Sequence, residues 1–333
     1  MKNNSKRKVN VFAIIIFVVL ILYAISIFFV LGWGLLTSLK TYAEFRMRPN
    51  KNVLGLPDVA WNINYIQELA SAGFPVEAYS IFNNYQKFIT SFSITFTEFE
   101  YDSIFGRQTI SAFNSNMGIF VFNSFLYAFV GSLCRAIVNF IAAYVCCKYK
   151  YKFSSFMVAL LITTMAIPLV GTSVPTLDFV KSIGIYGKKS SIIIMSASLS
   201  GMHFLIFHAF LSGLSDSFIE AAEIDGAGQF STLVRIVFPL SSKVFFTVFL
   251  LLFVSLWNDY SNVLMFYPNM PTLSVAMYEL EHSVKGIQSA TIEDKGIPRK
   301  AACCMVVALP LLIIFVAFRN VIMGNVSIGG VKE

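Results

Sequence analysis

Of 333 residues, 56% are hydrophobic and only 13% are charged, against about 45–50% and about 25% in soluble globular domains. That balance excludes the ordinary soluble class and places the chain among membrane proteins. The formal net charge of +7 is carried by Lys and Arg residues lying between apolar blocks, which argues against a nucleic-acid-binding face.

A bilayer core about 30 Å thick requires about 20 apolar residues at about 1.5 Å each. Six runs approach that length: Val11 to Leu36, Gly118 to Cys147, Phe153 to Val174, Ser190 to Leu211, Val244 to Phe266 and Ala301 to Phe318. The first follows Lys2, Lys6, Arg7 and Lys8 but is too long for a signal-peptide core and lacks a small-residue cleavage site, so it is expected to be a retained span. Residues 37–117 form a long polar and aromatic loop. Within it Phe92, Ile94 and Phe96 alternate with Ser93, Thr95 and Thr97, the period of a half-buried strand. This loop either caps the helix ends or offers a docking surface to an extracellular partner. The N-terminal cations and the run Lys148, Lys150, Lys152 are the densest positive clusters, and six spans put both on the cytoplasmic side; Lys188 and Lys189 then fall outside, against the rule. The expected fold class is thus an all-α integral membrane protein of six transmembrane helices, with a little β structure in the external loop. Its parts are a cytoplasmic tail and first span (1–36), the external region (37–117), a transmembrane core (118–320) and a cytoplasmic tail (321–333).

Arg135 falls near the middle of the second run. An unpaired cation there costs at least about 2.5–3.5 kcal/mol on insertion scales, so Arg135 is expected to face the bundle interior, with Asn139 one turn on. Gly187-Lys188-Lys189-Ser190 is not a phosphate-binding loop, because Ser182 stands where its first glycine is required and Lys189 follows the lysine. No nucleophile motif or metal-ligand cluster is apparent, so no enzyme activity, bound cofactor or metal is expected of this chain. His203 and His208 are five apart, on different faces of a helix, and read as packing or pore-facing groups. The five cysteines, Cys134, Cys146, Cys147, Cys303 and Cys304, read as small core residues.

Between the fourth and fifth runs, residues 215–240 carry the functional argument. Ser217 with Glu220 three residues on is a capping-box pattern, and Gly226 is a helix stop. A helix of about two turns is expected, then a second stretch from about Ser231 ending before Pro239, which opens the fifth span. Phe218, Ala221, Ala222 and Ile224 make the first helix apolar, and a helix that short needs a surface to pack on.

This stretch resembles the EAA loop of ABC importer permeases: Glu220-Ala221-Ala222, Asp225-Gly226-Ala227, nine residues between Gly226 and Ile236, and Pro239 three beyond, with Phe238 where a Leu is usual. Asn123-Ser124, Ala142-Ala143-Tyr144, Ile167-Pro168, Trp257-Asn258-Asp259-Tyr260 and the tail from Gly324 to Lys332 are similar to the maltose-type sugar permeases; the long external loop departs from them. The resemblance implies an importer in a prokaryotic cell membrane. It would contain this permease, a second permease, two cytoplasmic ATPases holding ATP and Mg, and an extracellular solute-binding protein. The EAA loop would be the coupling helix entering a groove on the ATPase. The loop from Tyr267 to Pro298 would reach toward the binding protein. Asn258, Asp259 and Asn262 suit sugar hydroxyls, or else serve as gate or packing groups. A non-sugar solute is the alternative reading.

Overall fold

A computed structural model describes residues 11–41, 44–45, 55–60, 62–71, 73, 80–90, 93–102, 106–149, 151–167, 171–282 and 296–323. Two compact units form, one from residues 1–92 with 289–308, the other from 93–288 with 309–333.

In the first unit, α1 (Val11–Ser38) is apolar along its length, and its side chains from Ile14 to Leu31 are all exposed. A helix apolar on every side belongs in lipid. Its end turns polar and buried at Thr37, Ser38, Lys40 and Thr41. After α2 (Ile63–Ser71), the helix α3 (Asn83–Thr90) closes that end: the Asn84 amide donates to the Ser38 and Lys40 carbonyls at 2.8 and 2.7 Å. These are the carbonyls a helix C-terminus leaves without intrahelical partners. The Glu44 carboxylate is buried nearby and accepts the Asp58 N–H at 3.0 Å. Burial pushes its pKa up, and the Asp58 N–H opposes that shift.

The second unit opens with an antiparallel hairpin, β1 (Ser93–Asp102) and β2 (Gly106–Asn116), with Phe96 opposite Phe113 and a register irregularity at Glu98/Phe99. The alternation around Ile94 and Phe96 thus marks a real strand, which continues to Asp102. Strand β2 feeds α4 (Met117–Lys148), whose first turn is capped by Asn116 Oδ1 accepting the Ile119 N–H at 3.1 Å. Buried Phe120, Ser124, Tyr127, Gly131, Asn139, Phe140 and Ala143 run down one stripe of α4, the spacing of a helix packed along its length.

After α4 come α5 (Lys152–Ala166), α6 (Ser173–Ser182), α7 (Ser191–Ser196), α8 (Gly201–Ser212), α9 (Ser217–Ile224) and α10 (Gln229–Thr232), of which α5, α7 and α8 pack on α4. They are followed by a π-helical turn over Leu233–Val237, then α11 (Phe238–Trp257), α12 (Ser261–Phe266), α13 (Leu273–His282) and α14 (Ile297–Met323). The core is aromatic: the Phe140 ring meets Phe207, Phe238 and Phe245 edge-on at 5.4, 5.9 and 5.7 Å. Such contacts add to area burial.

Among the described residues four helices are long and apolar enough to cross a membrane: Ile14–Ser38, Met117–Lys148, Gln229–Trp257 and Ile297–Asn320. The expected third and fourth spans differ. The third shortens to α5, 15 residues, and the fourth breaks at residues 197–200 into α7 and α8. The expected fifth span also stops early, at Trp257. The helical stretch expected to end before Pro239 instead runs on into α11 through the π-turn. A proline inside an α-helix loses a hydrogen bond and clashes with the carbonyl four residues back; a widened turn just before Pro239 accommodates both.

Candidate functional site

Two regions of the second unit gather the residues singled out above. The first is a polar cavity of about 390 Å³ between α4, α7, α11 and α12, lined by Tyr127, Arg135, Ser255, Asn258, Asp259 and Asn262 among others. Gly131 on α4 lets its walls meet: a Cβ there would lie 2.9 Å from Leu256 and 3.1 Å from the Ser196 hydroxyl. Asn258, Asp259 and Asn262 are therefore brought together on one wall, and each also has a structural task. The Asn258 amide donates to the Val254 carbonyl at the end of α11 at 2.9 Å. Asp259 accepts from the Tyr127 hydroxyl at 3.0 Å, the Asn262 N–H at 3.0 Å and the Asn262 amide at 2.7 Å. The ring of Tyr127 meets Tyr267 edge-on at 5.5 Å, so aromatic and polar groups share this wall, the mixture typical of small-ligand sites.

Arg135 lines the same cavity. Asn139 is its neighbour, but through the backbone: the Asn139 amide donates to the Arg135 carbonyl at 2.7 Å and to the Ser198 carbonyl at 3.1 Å, and its oxygen accepts the Ser200 N–H at 2.8 Å. Fully buried Asn139 thus pairs backbone groups of the non-helical segment between α7 and α8. Sequence reasoning missed this role; the small-residue run Ser196-Ala197-Ser198-Leu199-Ser200-Gly201 is the signal that marks the break. Asn123 and Ser124 pin a second irregular segment, donating to the Pro271 carbonyl at 3.0 Å and accepting the Leu273 N–H at 2.7 Å.

The second region is the α9 corner, where the chain bends 71° from α8. The capping box does not form: Ser217 opens the helix, Asp216 stands before it, and the Ser217 N–H meets the Ser215 hydroxyl at 3.4 Å. The stop at Gly226 does form, with φ +75°, the Ala227 N–H reaching the Ala222 carbonyl at 2.9 Å and the Gly226 N–H the Glu223 carbonyl at 3.1 Å. That is a Schellman turn, whose left-handed residue favours glycine. Ala222 is buried and Ile219 half-buried against the core, whereas Phe218, Glu220, Ala221, Ile224, Asp225 and Gly226 are exposed, Ile224 to 86%. Ala227 and Ile236 are half-buried and Pro239 exposed. Lys148, at the end of α4, holds the corner through Glu223 at 2.8 Å, and the Tyr149 hydroxyl bonds Gln229. Of His203 and His208, the first bonds the Ser200 hydroxyl at 2.8 Å and the second packs on the Phe204 ring at 5.6 Å, as packing groups do. Cys303 is buried, but Cys304 is exposed rather than a core residue. The tail from Gly324 and Pro168 lie outside the described residues.

Residues 138–327 match the family of binding-protein-dependent transport system inner membrane components. The chain belongs to that family. It is therefore a membrane permease component of an ABC importer, a family whose permeases lack an ATPase site of their own. The permease is 27% identical over 222 residues to the melibiose/raffinose/stachyose import permease MelC of Bacillus subtilis, covering 66% of this chain and 77% of that one. It is 25% identical over 219 residues to the sulfoquinovosyl glycerol transport permease SmoH of Agrobacterium fabrum, covering 64% and 73%. Its fold is shared with a chain of a bacterial ABC transporter involved in import of the acidic polysaccharide alginate, with TM-score 0.67, 16% identity and coverage of 96% and 98%.

Proposed function

We propose that this permease lines the path of a carbohydrate through the cell membrane of a prokaryote and couples its passage to ATP hydrolysis on separate subunits. In this reading α1, α4, α5, the broken pair α7–α8, the continuous α10–α11 and α14 are six crossings, with both termini cytoplasmic and the hairpin outside. A second permease completes the path, two cytoplasmic ATPases supply ATP and Mg, and an extracellular binding protein delivers the solute.

The observation that carries the proposal is the α9 corner. It holds Phe218, Ala221 and Ile224 on an exposed face of an eight-residue helix that the described residues do not cover, and such a helix gains stability by filling a groove on a partner. Glu220, Asp225 and Gly226 border that face; Ala222 is buried and Ala227 and Ile236 half-buried behind it, while Pro239 is exposed at the start of α11. The cavity at Asn258, Asp259 and Asn262 supports a hydroxyl-rich solute, and the relatives named for melibiose, raffinose and stachyose import and for sulfoquinovosyl glycerol transport favour a sugar over other solutes. Closure of the ATPases would shift the corner and reorient the spans around the cavity, an equilibrium that both ligands bias. The test is uptake of labelled oligosaccharides by the complete importer in proteoliposomes. Uptake requiring ATP, the ATPases and the binding protein is expected; uptake by the permease alone on an ion gradient would reject the class.

A further inference from the structure

The cavity holds two charged side chains, Arg135 and Asp259, and they are not equivalent. The Asp259 carboxylate is engaged by three donors, the Tyr127 hydroxyl and two groups of Asn262, and so fixes the turn between α11 and α12. The Arg135 guanidinium has no hydrogen-bond or ion-pair partner among the described residues, and its Nε is buried without one. A guanidinium offers five N–H donors and no acceptor. A cation at membrane depth persists where it pairs or where it serves a path. The neutral hydroxyls of a sugar are matched by amides and tyrosines that both donate and accept, groups already present on this wall. The complement of a planar, five-donor cation is an oxyanion held by two parallel bonds.

We propose that Arg135 receives an acidic group of the transported sugar, a carboxylate, sulfate or phosphate, within the cavity formed by α4, α7, α11 and α12. The proposal rests on the reading of this cavity as the solute path, and it narrows the solute to sugars bearing an oxyanion. In that role Arg135 sets specificity: it adds affinity for the acidic solute and does nothing for its neutral parent.

The test uses the complete importer with Ser255→Cys, a near-isosteric change on the exposed cavity wall. The probes are two methanethiosulfonates of similar size, one sulfonated and one trimethylammonium. Their rates are normalised to those with free cysteine and corrected for the chain without the added thiol. The sulfonated reagent is expected to be favoured by about tenfold, the size of effect one charge exerts across a partly wet cavity. The preference should be lost or inverted in Arg135→Gln, which leaves Asp259 as the charged residue of the lining, and persist in Arg135→Lys, which separates charge from misfolding. Galacturonate should then protect the thiol at about tenfold lower concentration than galactose, and only while position 135 is cationic. A thiol that reacts with neither reagent would overturn the solute-path reading and this proposal together. A reactive thiol with no charge preference, or equal protection by the two sugars, would overturn this proposal alone and leave Arg135 as a group that pairs within the protein.

Discussion

Replacing Asn139 by Ala tests whether one amide sustains the break between α7 and α8. Asn139 is fully buried and bonds the Ser198 carbonyl and the Ser200 N–H at 3.1 and 2.8 Å. With Ala, both part-buried backbone groups lose that partner, at up to about 1–3 kcal/mol each. The sum is up to about 2–6 kcal/mol, large beside the 5–15 kcal/mol typical of whole domains. At roughly 2–4 °C per kcal/mol for a unit of this size, the melting temperature should fall by several degrees. Asn139→Asp should fare little better, because a carboxylate keeps the bond from Ser200 and cannot donate to Ser198. The assay is thermal unfolding of the purified importer in detergent, with alkylation of Ser196→Cys, buried at the end of α7, reporting local opening. An Asn139→Ala importer that melts with the parent and leaves that thiol protected would refute the reasoning.

Three further outcomes follow from the geometry. Reversing the Lys148–Glu223 pair should restore coupling lost in Lys148→Glu alone, measured as solute-stimulated ATPase activity; because Glu223 is about half exposed, the effect on stability should stay within about 1 kcal/mol. Burial raises the Glu44 pKa, so the folded first unit holds that proton more tightly than the unfolded chain. Its contribution to stability is full below the ordinary carboxyl range and lost as pH rises through the raised folded value; Glu44→Gln should flatten the melting temperature across that window. An impermeant thiol reagent added to intact cells should label Asn83→Cys and not Tyr151→Cys, and the reverse pattern would invert the orientation.

Long, unbroken apolar stretches were legible in the sequence. The run from Gly118 to Cys147 became α4 at Met117–Lys148, and the Gly226 stop fell where a left-handed residue was needed. Hydropathy sums composition over a window and is blind to where the backbone leaves the helix, so Ser190 to Leu211 read as one span although residues 197–200 interrupt it. The capping box failed for a local reason: Ser217 already lies within α9, one position too late to act as its cap. The partners of Asn139 and Lys148 lie 59 and 75 residues away, and a local pattern carries no trace of contacts at that separation. Asn258, Asp259 and Asn262 were legible as a polar group at a span end; that Arg135, more than a hundred residues earlier, shares their cavity follows from the packing of α4 on α11.

The claim on which the account turns is that α9 couples this permease to a separate ATPase, and Gly226→Leu tests it most directly. The left-handed backbone at φ +75° disfavours a side chain by roughly 1 kcal/mol or more, although open space surrounds the position. The substitution should therefore distort the turn without disturbing the core. The measurement is solute-stimulated ATP hydrolysis by the reconstituted importer, beside its assembly and binding-protein docking. The account predicts an importer that assembles and docks normally but whose hydrolysis no longer responds to solute; stimulation equal to the parent's would contradict it.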